Sequence, residues 1–164
     1  MANNLTDLTD IVSEMETQWT AFRCVEGQPT LNGFLFGWPQ EVDELHNKNL
    51  PLMVVNPPSA IVDVANVSRE YGISDNLYKI QIYNYPPSTI TPTGTTRPTD
   101  LWDQIESCFY VWLQNVLNAL GPSKVILGGG SITITRTKEA SNDSFFMSQF
   151  EFTLQTYRTC LTLT

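Results

Sequence analysis

Two stretches of the chain place hydrophobic residues at the spacing of an amphipathic helix. Within residues 6–22 the apolar residues follow one another at steps of four and three, which builds one apolar stripe along a helix. Within residues 100–120 the stripe is broader, Thr99 or Asp100 can cap its start, and a Gly-Pro pair marks its end. The pattern predicts an N-terminal helix and a longer central helix, which at about 1.5 Å per residue is about 30 Å long.

The first strand patterns lie between these two helices. Residues 34–38 alternate like a short strand that follows a turn at Asn32-Gly33. Residues 50–55 form a continuous apolar run closed by two prolines, which is typical of a buried strand. Residues 61–64 add a further extended piece. These segments predict three short strands in the first half of the chain.

A longer strand is predicted in the middle of the chain. Gly72 and the polar cluster at residues 74–76 indicate a turn, and residues 77–85 then alternate in character. Because alternate side chains of a strand lie on the same face, this segment predicts a half-buried strand. Its apolar face carries Tyr78, Ile80 and Ile82.

The C-terminal part of the chain predicts strands only. Residues 124–127 and 131–137 have extended patterns separated by three glycines, which indicate a hairpin turn or a bulge. A polar turn then leads into a long final run whose phenylalanines share one phase. Tyr157, Leu161 and Leu163 take the opposite phase. Since a slip of one residue exchanges the two faces of a strand, the phase change predicts a bulge or bend in this run.

Residues 86–99 differ in composition from the segments around them. Four prolines, six threonines, one serine and one glycine make up most of this segment. Such a composition favours extended, solvated backbone and cannot build a core. Loops of this length inside a domain usually serve a function or are disordered. Two interpretations follow: a loop that contacts a partner, or a passive flexible connector.

The charge balance narrows the range of partners. The net charge is −8, and only 16% of the residues are charged, against about 25% in a typical protein. Nineteen Thr, eleven Ser and twelve Asn take the place of charged residues. An acidic protein does not neutralise phosphates, so the charge argues against wrapping of nucleic acid and equally against docking on an anionic membrane. The acidic excess lies mainly in residues 1–50 and indicates a solvated acidic face.

The three cysteines have no Cys-x-x-Cys spacing and give no disulfide framework. Cys108 lies in a helical pattern and Cys160 in a strand pattern, so both are predicted to be small core residues. All three cysteines, including Cys24, are predicted to be reduced thiols. The N-terminus has neither the basic nor the apolar region of a signal peptide, and no stretch of eighteen apolar residues occurs. These features predict a soluble protein made in the cytoplasm.

The chain offers little for catalysis. His46 is the only histidine, so a histidine-based metal cluster fails on count, and no GxSxG, HExxH or P-loop motif occurs. The three glycines precede the strand pattern SITITRT rather than a helix, so they lack the helix N-terminus that holds a phosphate. Asp100 and Asp103 lie at a helix start, where capping explains them. The sequence predicts no catalytic residue, no metal and no cofactor.

The order of elements is helix, strands, Pro/Thr-rich segment, long apolar helix, strands. In this order LPLMVVNPPS, LYKIQIYNYP, TDLWDQIESCFYVWLQNVLNAL, SITITRT and SQFEFTLQTYRT resemble the tail-terminator and tail-completion proteins of tailed bacteriophages. The resemblance covers residues 5–160 and lies in pattern and order. It implies an α+β fold in one domain, residues 1–164, whose mixed, mostly antiparallel sheet packs against an N-terminal helix and one long central helix. Residues 23–49 match no feature of that family and are a candidate insertion.

The same resemblance implies a structural role in a virion, at the neck between head and tail. In that family six copies form a ring that caps the tail tube, ends its polymerisation and docks to the head connector. The implied partners are other copies of the chain, the tail tube protein and connector proteins. DNA passes through such a ring without specific binding, and the ring is assembled in the host cytoplasm. The alternatives are another tail or neck component and an unrelated acidic binding module or enzyme. The candidate contact residues are Thr89, Ile90, Thr91, Thr93, Thr95 and Arg97 in the loop, and Tyr157, Leu161 and Leu163 near the C-terminus.

Overall fold

Two long antiparallel strands form the centre of a sheet. The computed structural model describes residues 8–24, 31–38, 49, 51–62, 71–84, 98–122, 125–138 and 146–159. Its elements are α1 (Leu8–Thr20), β1 (Gly33–Phe36), β2 (Leu52–Val55), β3 (Ser59–Val62), β4 (Tyr71–Asn84), α2 (Pro98–Leu120), β5 (Val125–Lys138) and β6 (Phe146–Thr159). The central strands β4 and β6 pair along their whole length.

The sheet is mixed but mostly antiparallel. Its strands lie in the order β1-β2-β4-β6-β5, and β3 also pairs with β4, so β2 and β3 share one edge of that strand. β1 and β2 are parallel, and the other pairings in the described part of the chain are antiparallel. The predicted α+β fold is therefore confirmed. Because β1 lies within residues 23–49, this part of the candidate insertion belongs to the sheet.

Both helices pack on one face of the sheet. Phe109 of α2 stacks on Phe150 of β6 with ring centroids 3.8 Å apart. Trp112 of α2 donates its Nε1 hydrogen to the backbone oxygen of Met15 in α1, at 3.0 Å. The long helix thus lies at the centre of the core, as its apolar stripe predicts. The buried residues on this face of the sheet include Met53, Val55, Tyr78, Ile80, Ile82, Phe150, Phe152 and Leu154.

A set of hydrogen bonds joins the end of α1 to the start of β1. Trp19 is fully buried and donates from Nε1 to the Gly33 oxygen at 2.8 Å. Asn32 Nδ2 donates to the Trp19 oxygen at 3.2 Å, and Asn32 Oδ1 accepts from the backbone N–H of Cys24 at 3.2 Å. The pair Asn32-Gly33, predicted as a turn, forms a corner that fixes the direction in which the chain enters the sheet.

Gly33→Ala is expected to destabilise the protein by about 1–3 kcal/mol, because a β-carbon there has no room. It would overlap the backbone oxygen of Asn49 and lie 3.2 Å from Leu52 Cδ1, and the Gly33 backbone cannot retreat without breaking the β1–β2 pairing. Gly128→Ala is the matched control, since its β-carbon would meet nothing closer than 3.4 Å. Thermal melts check the prediction, and equal melting temperatures for the two variants would contradict it.

The predicted turn at Gly72 and residues 74–76 is wrong, because these residues continue β4. Ser74 and Asn76 lie on the helix-facing side and are 0% and 5% exposed. Asn76 Nδ2 donates to the Leu154 oxygen at 3.2 Å and to Thr156 Oγ1 at 3.0 Å. Hydrogen bonds to the neighbouring strand thus allow a polar, turn-like sequence to lie inside a sheet.

The three glycines form a bulge within one strand, so the two segments predicted around them make up β5 together. Gly129 and Gly130 adopt φ angles of 72° and 64°, the left-handed region that favours glycine. The bulge or bend predicted in the last strand is absent from its described part, because β6 stays in register with β4 from Phe146 to Thr159. Its paired range ends before Leu161 and Leu163, which lie outside the described residues.

The start of α2 also differs slightly from the prediction. The helix begins at Pro98, so Thr99 and Asp100 lie in its first turn rather than at its cap. Proline is favoured at the first helical position because its φ angle suits a helix and its missing N–H has no helical partner there. The helix therefore includes the last two residues of the segment 86–99.

A disulfide joins Cys24, which follows α1, to Cys108 in α2. The two Cα atoms are 5.7 Å apart although the cysteines are 84 residues apart in sequence. The prediction of reduced thiols is therefore wrong for this pair, and Cys160 lies outside the described residues. Packing of α1 against α2 brings the two cysteines together, and sequence spacing carries no trace of that proximity.

Candidate interaction surface

The candidate contact residues from the sequence fall almost entirely outside the described part of the chain. Thr89, Ile90, Thr91, Thr93, Thr95, Arg97, Leu161 and Leu163 all lie there. Only the backbone of Tyr157 is described, where it pairs with Ile73 across the central strands. The contact roles of these residues stay predictions.

The described residues hold no cluster of side chains that could bind a metal ion. Within them, no group of three or more His, Cys, Asp or Glu side chains comes together. Ser131 is exposed next to the bulge of β5, Asp103 is exposed on α2, and His46 lies outside the described residues.

The face of the sheet opposite the helices carries a ladder of polar cross-strand pairs. Gln155 Nε2 donates to Asp75 Oδ1 at 3.1 Å, and Gln81 Nε2 donates to Gln149 Oε1 at 3.2 Å. Between these pairs, Lys79 Nζ lies 3.7 Å from Glu151 Oε1. Directly opposed side chains satisfy one another in this way across antiparallel strands. The polar part of this helix-free face is therefore largely self-paired, and beside it Leu52, Val54 and Tyr83 are buried in a second hydrophobic cluster.

One groove interrupts the helix-free face where β2 passes into β3. Val55 pairs with Ile80 and Ser59 with Leu77, so four steps along one strand oppose three along the other. The extra residue is a bulge at Asn56-Pro57-Pro58, a sequence in which the prolines cannot donate to the ladder. Bulges of this kind redirect side chains and often lie beside functional sites.

The parallel pairing of β1 and β2 brings Trp38 to the same place. Because the two strands are parallel, their carboxyl ends lie side by side, and the backbone N–H of Gly37 donates to the Val55 oxygen at 3.0 Å. Trp38 follows directly and is 54% exposed. With the bulge it encloses the Trp38 groove, a cavity of about 300 Å³ lined by Trp38, Asn56, Pro57, Ser59, Leu77, Lys79 and Glu151.

The Trp38 groove combines apolar walls with a buried hydrogen-bond acceptor. Leu77 is 47% exposed although it is a large aliphatic residue, and Pro57 lies beside it. Asn56 is only 7% exposed, and its buried Oδ1 has no hydrogen-bond partner among the described residues. An unsatisfied buried acceptor costs about 1–3 kcal/mol, so this oxygen favours a ligand that brings a donor.

A second groove lies between α1 and β1, and it is more uniformly apolar. Its volume is about 340 Å³, and Leu8, Val12 and Phe36 supply its apolar lining. Leu8 and Phe36 are 38% and 36% exposed. None of the described residues that line this groove is a buried polar group, which distinguishes it from the Trp38 groove.

An ion pair joins the outer strand β5 to the long helix α2. Arg136 of β5 donates from Nε to Glu106 Oε1 of α2, forming an ion pair on the helix-bearing face. This hydrogen bond, followed by the charge of Glu106, raises the pKa of Arg136 further above its ordinary value. Arg136 therefore stays cationic, and the link does not depend on an Arg136 titration.

One sequence feature belongs to the Trp38 groove, but the hydrophobic pattern alone does not show that a groove forms there. Asn56-Pro57-Pro58 marks the end of a buried strand, but only the pairing of β3 with the same edge of β4 makes it a bulge. Trp38 appears in the sequence as one more strand residue. Its exposure depends on β1 ending at Phe36, which the alternation of residues 34–38 does not show.

No protein-family model matches the chain, and no curated protein sequence matches it. Among the described residues, neither helix is long and apolar enough to cross a membrane.

Proposed function

We propose that the chain is a structural protein of the head–tail neck of a tailed bacteriophage. In this role copies of it form a ring that caps the tail tube, ends tube polymerisation and docks to the head connector. The observation that carries the proposal is the agreement between the architecture and the one the resemblance implies. An N-terminal helix and a long central helix pack on one face of a mostly antiparallel sheet, in the expected order along the chain.

The surface chemistry supports an assembly role. The described surface presents two grooves with exposed apolar residues, which are suited to contacts with other proteins. A net charge of −8 keeps DNA from adhering to a channel through which it must pass. The Cys24–Cys108 disulfide fits a virion location, because cytoplasmic thiols are kept reduced while particle surfaces are exposed to oxidising surroundings.

The alternative proposal is another tail or neck component, or a non-viral acidic protein-binding module. The Trp38 groove is compatible with both proposals, because a groove that binds a peptide suits a monomeric adaptor as well as a ring subunit. The two proposals differ in self-association: a ring subunit assembles with copies of itself, and a monomeric module does not.

Electron microscopy of the purified protein tests the proposal. We expect closed rings, and we expect the protein to stop the growth of purified tail tubes when it is added during their polymerisation. Bovine serum albumin at the same concentration serves as the control for crowding. A protein that stays monomeric at high concentration and leaves tube length unchanged would exclude the neck function.

Replacing residues 88–97 by a short Gly/Ser linker is expected to abolish ring formation while shifting the melting temperature little. The segment is rich in Pro and Thr, and stability depends only weakly on loop length because closure entropy grows with its logarithm. Thermal melts and electron microscopy of the same preparation measure the two effects. A destabilised variant that still forms rings at low temperature would show that the segment is part of the packed fold.

A further inference from the structure

We propose that Cys24 and Cys108 form a thiol-exchange site, at which the folded, reduced protein is oxidised in place by a small disulfide such as oxidised glutathione. Cys24 follows α1 and is partly exposed, whereas Cys108 lies in α2 and is only 7% exposed. A small disulfide in solution therefore reaches Cys24 first, because exchange requires access to the attacking sulfur. The unequal exposure assigns Cys24 as the sulfur that reacts with the oxidant and Cys108 as the sulfur that completes the bond.

The two cysteines are held close together by contacts that involve no sulfur. Trp112 Nε1 donates to the Met15 oxygen at 3.0 Å and so joins α2 to α1. The backbone N–H of Cys24 donates to Asn32 Oδ1 at 3.2 Å, which anchors Cys24 to the corner before β1. Cys108 is fixed by its place within α2. We therefore expect the reduced protein to keep the two Cα atoms near their separation of 5.7 Å.

Each sulfur also has a backbone oxygen beside it. Cys108 Sγ lies 3.3 Å from the Cys24 oxygen, and Cys24 Sγ lies 4.0 Å from the Gln104 oxygen. A thiol is a weak hydrogen-bond donor, so both thiols of the reduced form would find an acceptor without any movement of the backbone. One arrangement of the chain thus suits the dithiol and the disulfide alike.

The reaction takes place in two exchange steps. The thiolate of Cys24 attacks one sulfur of the small disulfide, so that a mixed disulfide forms, the small S–S bond breaks and one small thiolate leaves. Cys108 then loses its proton and attacks Cys24 Sγ, which forms the protein disulfide and releases the second small thiolate. The protons of the two cysteines end on the two small thiols. Two protein thiols are thereby oxidised, and one small disulfide is reduced.

Proximity favours the second step over the reverse reaction. Cys108 attacks within the same molecule, and a reaction between groups held side by side is faster than one between separate molecules. If a small thiol later opens the bond, the freed Cys108 thiol is again in place to close it. The unfolded chain has no such advantage, because 84 residues of sequence separate the cysteines. The fold therefore directs this pairing.

The site gives one fold two levels of stability. In a reducing compartment the protein is folded as the less stable dithiol, and in oxidising surroundings it gains the cross-link without rearrangement. This inference does not depend on the neck function.

Glutathione exchange on the reduced protein tests the order of attack. Every protein carries Cys160→Ser, is reduced, freed of reductant and mixed with oxidised glutathione, and its mass is followed over time. With both cysteines present, we expect the internal disulfide and only a transient adduct. Cys108→Ser should accumulate a stable glutathione adduct at Cys24. Cys24→Ser, which leaves only the buried thiol, should form its adduct at least about tenfold more slowly.

The same two single-thiol variants in concentrated urea are the matched control. Without the fold their rates should be similar, which assigns the difference in native buffer to burial. Equal rates in native buffer would overturn the inference. So would a glutathione adduct that persists when both cysteines are present, because Cys108 would then be unable to reach the mixed disulfide.

A brief pulse of iodoacetamide repeats the ranking without substituting either cysteine of the pair. In the reduced protein we expect the label mainly on Cys24, identified by peptide mass, and a label mainly on Cys108 would contradict the proposed order.

Near-ultraviolet circular dichroism tests whether oxidation takes place in the folded protein. Trp19 and Trp112 are fully buried, so their signals report on the packed core. We expect the same spectrum before and after oxidation and a higher melting temperature afterwards. A reduced protein without this spectrum, or one that forms the disulfide only in denaturant, would overturn the inference. None of these measurements involves ring formation, so their failure leaves the proposed function untouched, and a protein that forms no rings can still show the exchange.

Discussion

Trp112→Ala is expected to unfold the domain or to lower its melting temperature by about 6–20 °C, the largest effect of any single change. Truncating a buried aromatic residue typically costs about 3–5 kcal/mol, and each kcal/mol shifts the midpoint of a domain this size by about 2–4 °C. Trp112 is fully buried, lies 5.5 Å from the Phe109 ring and donates to the Met15 oxygen. Its removal therefore opens a cavity and also detaches α1 from α2.

Tyr110→Ala is the matched control for this experiment. Tyr110 lies two residues away on the same helix but is 49% exposed. An aromatic ring is again lost from α2, with similar effects on helix propensity, but little buried surface changes. Thermal and chemical denaturation should separate the two variants clearly. Similar losses for both would mean that the helix is packed with a different face toward the sheet.

Loss of the Cys24–Cys108 disulfide is expected to give the second largest effect. A cross-link stabilises mainly by restricting the unfolded chain, and the typical contribution is about 2–4 kcal/mol. The two cysteines enclose a long loop, with a sequence separation of 84 residues, which places the effect toward the upper end of that range. The double variant Cys24→Ala/Cys108→Ala should therefore melt about 4–16 °C below the wild type.

Reduction supplies an independent measurement of the same contribution. Dithiothreitol should lower the melting temperature of the wild type by nearly the same amount and leave that of the double variant unchanged. Cys160→Ser serves as the control for a cysteine outside this pair and should retain the sensitivity to dithiothreitol. A wild-type protein whose melting temperature ignores the reductant would contradict a stabilising disulfide.

Periodicity predicted those parts of the fold that burial determines. The stripe along residues 100–120 and the alternation of Tyr78, Ile80 and Ile82 both arise because one side of an element is in the core, and the structure confirms both. Such patterns are local, because the type of side chain at each position depends mainly on whether that position is buried. They identify an element and its buried face without any knowledge of its neighbours.

Features that depend on distant neighbours could not be predicted in this way. Asn76 looks like a turn residue until Thr156 and the Leu154 oxygen are placed beside it. Cys24 has no visible partner until α1 lies against α2. The Trp38 groove needs a parallel strand pair and a bulge that become apparent only in the assembled sheet. In each case the deciding contact spans a separation at which the sequence pattern carries no information.

The bulge at the three glycines has a consequence for how the protein behaves when it is abundant. Among the described strands, β5 forms one edge of the sheet, and the bulge divides its pairing with β6 into two stretches, from Val125 to Gly128 and from Thr133 to Lys138. A long, regular edge is a template on which strands of other molecules can stack. An edge broken by residues in the left-handed region cannot be copied continuously by a second chain. We therefore expect folded molecules to resist strand-by-strand stacking along this edge at high concentration.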